Sequence, residues 1–133
     1  MEVEAFLLCD AATDQRGKLN VLGAFDSIYA RHLPAIHPQC AVAARIRFDR
    51  CESGEHPVKL LIIDEDGNSI GPKLEGKVGV NIVDVDCMAV NLILYMHRMK
   101  LENFGRYRID LYINEQHIAE LPFNLRQVPA EAM

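Results

Sequence analysis

The chain has 133 residues, half of them apolar and a quarter charged, which excludes disorder and suits one domain that buries about two thirds of its unfolded surface. A formal net charge of −5 and a pI near 5.5 argue against nucleic-acid binding, because Lys and Arg are scattered among acids instead of clustered to track phosphates. Four cysteines with no C-x-x-C spacing read as reduced thiols that behave mostly as small buried hydrophobes.

In chain order, the first segment, MEVEAFLLCD, has a short apolar run and no basic residue before it. Neither a signal peptide nor a membrane anchor is expected there, and the expected compartment is the cytoplasm. Residues 6–9 are apolar on both faces, as in a central strand covered on each side or a strand at a subunit contact. Over 42–48, Val42, Ala44, Ile46 and Phe48 alternate against Ala43, Arg45 and Arg47, the signature of an antiparallel strand with one buried and one wet face. Residues 58–63 are again apolar on both faces. The run 77–85 switches phase between Ile82 and Val83, which predicts a β-bulge.

Residues 87–101, CMAVNLILYMHRMKL, are ambiguous. Their Met, Leu and Ala favour a helix, yet Met88, Val90, Leu92, Leu94 and Met96 alternate as a strand would; a strand is expected and a helix is the alternative. Residues 106–113 alternate strictly. Just before them, Leu101, Gly105 and Tyr107 form an L-x-x-x-G-x-Y pattern similar to the tyrosine corner of immunoglobulin-like domains. Pro122 marks the last strand as a protected edge. Turn signals recur every eight to fifteen residues throughout. Together these features predict an all-β, single-domain antiparallel β-sandwich of about eight strands over 1–127, with a tail at 128–133; a β-barrel is the competing architecture.

Several motifs offer chemistry. Asp64, Asp66, Asn68 and Glu75 sit at positions 1, 3, 5 and 12 of a calcium loop, and Gly67, Ser69 and Gly71 spell G-x-S-x-G. Ser69 stands where a calcium loop needs glycine, and strand-like flanks contradict both the EF-hand and the nucleophile elbow. An Asp-Gly hairpin turn remains, with Asp64, Asp66 and Asn68 as weak metal candidates. His32, His37 and Cys40 are separated from Cys51 and His56 by an extended strand of roughly 35 Å, so they cannot share one zinc. Tyr95 and Tyr112 fall on faces otherwise polar, and Arg108 lies on the same face as Tyr112. These three are the candidate ligand or partner contacts, since exposed aromatics serve sugar stacking and interface hot spots.

The segments AFLLCD (5–10), GKLNVLGAFDSIYA (17–30), LPAIHPQ (33–39), RIRF (45–48), IDEDG (63–67) and FGRYRIDLYIN (104–114) occur in an order that resembles a family of small bacterial all-β proteins of unknown function. The resemblance implies an intracellular bacterial β-domain and brings no activity, cofactor or catalytic residue with it. A non-catalytic interaction or assembly module is the expected function, without cofactor, nucleic acid or membrane. A homodimer is expected from the doubly apolar strands, with an unidentified protein partner as the alternative. The alternatives are a small-ligand or carbohydrate-binding sandwich using Tyr95 or Tyr112, and a small enzyme in which His97 or His117 meets a carboxylate.

Overall fold

Strict alternation at 42–48 and 106–113 places these residues in inner strands of two facing β-sheets in the computed structural model, which describes residues 1–129. Nine strands follow in order: β1 (Glu2–Gln15), β2 (Lys18–Ala24), β3 (Ser27–Ala30), β4 (Ala35–Asp49), β5 (Gly54–Ile63), β6 (Ser69–Val80), β7 (Cys87–Leu101), β8 (Gly105–Ile113) and β9 (Gln116–Gln127). One sheet has the order β2-β1-β4-β7 and the other β3-β9-β8-β5-β6. Between them lies the core, built from the inward alternate residues: Val42, Ile46 and Phe48 of β4 face Leu60 of β5, Ile109 and Leu111 of β8 and Phe123 of β9. Burying each such side chain contributes about 1.5–3 kcal/mol.

The architecture is the expected all-β sandwich, and its strand order is immunoglobulin-like, with β1-β4-β7 opposite β9-β8-β5. Tyr107 sits at the start of β8, where its hydroxyl donates to the Asn103 carbonyl at 2.6 Å and accepts from the Asn103 amide at 3.3 Å. This tyrosine corner pins the crossover from one sheet to the other. One pairing departs from the antiparallel expectation: β3 runs parallel to β9, Ser27 beside Asn124. A four-residue strand between two bends carries too little pattern to announce its direction. Segment 87–101 is a strand, since its alternation places Met88, Val90, Leu92, Leu94 and Met96 against the core. Beside it, the tertiary environment outweighs helix propensity.

Other expectations change. No bulge lies at Ile82–Val83, because β6 ends at Val80 and Ile82 turns inward from a loop that leaves Val83 exposed. Pro122 lies in an edge only in part. β9 is bordered by β3 from Asn124 onward and is unpaired on that side at Pro122. Strand β9 ends at Gln127, and of the expected tail, residues 130–133 lie outside the described residues.

The doubly apolar character of β1 has an intramolecular cause. After Cys9, β1 leaves β4 and pairs only with β2, through a two-residue turn at Arg16 and Gly17 with φ of 53° and 81°. The β1–β2 hairpin curls across the outer face of its own sheet. There Cys9, Ala12, Ala41 and Ala43 are buried with Leu19, Val21 and Ile93 as a second small core. Arg45 donates to the Gly17 carbonyl at 2.9 Å, and Asn91 donates to the Asp14 carboxylate at 2.9 Å, tying the tip down. The cover that β1 needs on its second face thus comes from the same chain.

Candidate functional site

Both sheets end at the same side of the sandwich in strands with one free edge. β7 pairs only with β4, over its whole length from Cys87 to Leu101, and β6 pairs only with β5. Every second residue of a strand points its N–H and C=O to one side, so β7 carries a row of unpaired backbone donors and acceptors. Its sequence lacks the usual protection of such an edge. From residue 87 to 96 it has no charge, no proline and no glycine. Met88, Val90, Leu92 and Leu94 pack on the core yet stay half-buried, because no strand lies beyond them.

Near its C-terminal end β7 changes phase. Met96 and Met99 both point inward while His97 and Arg98 are exposed, and Arg98 takes the left-handed conformation at φ 54°. The β4–β7 register continues unbroken through this stretch, beside which lies a cleft of about 590 Å³ between β6 and β7. Its floor includes Ile62, Leu74, Met96 and Met99, with Arg98 and the Tyr107 end of the corner at its rim.

A polar cluster occupies the outer face of β8 and β9. Arg108 grips Asp110 with both arms, Nε to Oδ1 at 2.7 Å and Nη2 to Oδ2 at 3.1 Å. The Asp110 carboxylate is only 3% exposed, and its proximity pushes the Arg108 guanidinium up from its ordinary value. His117 lies 3.5 Å from Asp110, and Glu120 lies 3.4 Å from Arg108. Asp110, His117 and Glu120 could together face a cation, yet the guanidinium already uses both Asp110 oxygens. The cluster therefore acts as a charge-balanced clasp across β8 and β9.

The model of DUF6941, a family of unknown function, matches residues 4–126. The chain belongs to that family. No protein of curated function matches this DUF6941 member. Among solved structures, an immunoglobulin-like protein from Pseudomonas aeruginosa is similar at 11% identity and a TM-score of 0.45, covering 94% of this chain and 95% of its own. The Pseudomonas fluorescens alkylpurine DNA glycosylase AlkC, bound to DNA containing an abasic site analog, is similar at 9% identity and a TM-score of 0.47. That match covers 91% of this chain, which spans only 30% of the glycosylase chain.

In this family member the three candidate contact residues do not form one site. Arg108 and Tyr112 share the outer face of β8, but Tyr95 lies on the outer face of the opposite sheet. Tyr112 has Lys59 Nζ 4.6 Å above its ring and the His117 ring edge-on at 5.4 Å, so its ring is already engaged. The Tyr95 hydroxyl donates to the Ala12 carbonyl at 2.6 Å, which makes it a strut for the β1–β2 hairpin. Asp64 closes its own turn, with Oδ1 accepting from the Asp66 amide at 3.0 Å and the Asn68 amide at 2.8 Å. Ser69 starts β6 and adjoins no helix.

The histidines divide between structural and solvent roles. His56 is buried, stacked on Phe48 at 5.0 Å, and its Nδ1 accepts from Asn114 Nδ2 at 2.8 Å while Nε2 contacts the Glu52 carbonyl. The tautomer with its hydrogen on Nε2 matches both partners. His117 does meet a carboxylate, yet it does not line the cleft between β6 and β7. Sequence reasoning missed the free edge of β7. The signal was present as the uncharged run 87–96, but strand order was needed to place it outermost.

Proposed function

We propose that the protein is a non-catalytic assembly module of the bacterial cytoplasm, which binds its partner by adding a strand to the open edge of β7. The observation that carries this reading is the free edge itself, fifteen residues long and uncharged over 87–96. Strand addition draws affinity from main-chain hydrogen bonds and specificity from alternate side chains. Soluble proteins blunt long apolar edges with charge, proline or bulges, so an edge left bare over ten residues is suited to a partner. The polar clasp at Asp110 and the engaged rings of Tyr95 and Tyr112 favour docking over catalysis or sugar stacking.

Photo-crosslinking in the native cells tests this. A benzoylphenylalanine at Ala89, on the outward side of β7, should give discrete adducts. The same group at Arg106, exposed on β8, should not. No adduct at 89, or equal adducts at both positions, would sink the proposal.

A second reading is favoured by the cleft of about 590 Å³, which falls in the size range of small-molecule sites. A small apolar ligand there would move the methyl resonances of Met96 and Met99 and spare those of Met88. Uniform shifts along β7 would instead point to strand docking.

A further inference from the structure

The charges at the two ends of β7 are opposite. Asp84 and Asp86 immediately precede the strand, and Arg98 and Lys100 stand in its last turn of sequence, all four exposed. Among the described residues, Asp84, Asp86 and Arg98 enter no ion pair, and Lys100 meets only Glu102 at 3.6 Å between two exposed side chains. Between these ends lies the uncharged edge. An antiparallel strand is its own complement about a two-fold axis, since each copy presents the same row of donors and acceptors in reverse order.

We propose that the partner strand is β7 of a second copy, paired antiparallel with Leu92 at the two-fold axis, so that two four-stranded sheets become one of eight. The inference rests on the edge-docking reading above and names its occupant. In this register residue 87 of one copy lies beside 97 of the other, and Val90 beside Leu94. Residues 88–96 cover themselves, and Cys87 comes beside His97 of the partner subunit. Asp86 comes beside Arg98 of the partner subunit, and Asp84 beside Lys100 of the partner subunit, twice by symmetry. A parallel arrangement would stack acid on acid and base on base, which the charge distribution opposes.

Sedimentation velocity on two charge-swapped chains tests the register. The first carries Arg98→Glu with Lys100→Glu. The second carries Asp86→Lys with Asp84→Asn, asparagine being chosen because position 84 has φ 63°. Wild type should sediment as a dimer. Each swapped chain alone should self-associate about tenfold or more weakly, since like charges then meet at both ends. Mixing the two should restore a dimer containing one of each. Circular dichroism of each chain confirms that these exposed substitutions leave the fold intact.

A wild type that stays monomeric at about 500 μM overturns the second-copy proposal. So does a swapped chain that dimerises as tightly as wild type, or a mixture no tighter than its components. The two readings fail separately. Adducts at position 89 to a different protein, with a monomeric wild type, would retain strand docking and remove the second copy. Absence of any adduct at 89 together with monomeric wild type removes both.

Discussion

At the scale of single residues, burial divides side chains that look alike in sequence. Cys9 and Cys40 are fully buried, and loss of solvent pushes both thiols up, Cys40 to about 11, while Cys51 is exposed on the short 3-10 turn after β4. Iodoacetamide on the folded protein should label Cys51 first, with Cys9 and Cys40 labelled only after denaturation; mass spectrometry of the peptides reads the order. Glu4 is a surface case. The Arg47 guanidinium foremost, then Arg45, holds its carboxyl below the ordinary 4.5. A depressed carboxyl stabilises the fold above its unfolded value and loses that contribution as pH falls through the folded value. Glu4→Gln should therefore lower the melting temperature near neutral pH, and the gap to wild type should close below about pH 4. A gap that persists in acid would refute the ion-pair account. Tyr107→Phe removes the bond that closes the corner and leaves the Asn103 carbonyl without its partner. A loss of about 1–2 kcal/mol in urea unfolding is expected, with no change in far-ultraviolet dichroism.

Elements show where a local pattern is decisive and where it is ambiguous. Alternation in β4 and β8 was legible because charged residues, Arg45 and Arg47 in β4 and Arg106, Arg108 and Asp110 in β8, mark the outer face, so period two stands out in the letters. Strand β1 was harder to place. Its apolar residues occupy both faces, which is equally consistent with a subunit contact and with cover from the same chain. The β1–β2 hairpin supplies that cover, and the small residues Ala41 and Ala43, both 0% exposed, let it approach the sheet closely. Ala43→Leu should wedge the hairpin outward and cost about 1–3 kcal/mol, with faster amide exchange at residues 11–22 than in wild type. Unchanged exchange there would mean that the hairpin does not depend on this contact. The site followed the same logic. Arg108 and Tyr112 were visible as a polar face, whereas Asp110 between them became significant only when β9 brought His117 and Glu120 alongside.

For the whole molecule, sheet closure is strongly non-local. β3 pairs with β9 nearly a hundred residues downstream, Ser27 beside Asn124, and β1 pairs with β4 across some forty. Such topology is closed late against loop entropy, so refolding is expected on a timescale of about milliseconds to seconds, slower than helical domains of this length. Stopped-flow fluorescence of the tyrosines would read it, and submillisecond refolding would contradict the pairing. Composition and alternation by themselves determined an acidic, predominantly β domain with the spacing of a tyrosine corner, and left sandwich and barrel as competing closures, because a strand's side-chain period and a corner's spacing are local and survive in the letters. Which strand lies outermost, that β3 runs parallel, and that β1 is covered by its own hairpin were decided only by the tertiary structure. Those facts depend on which distant backbone groups find one another, and an unpaired edge has no sequence signature until its neighbours are known.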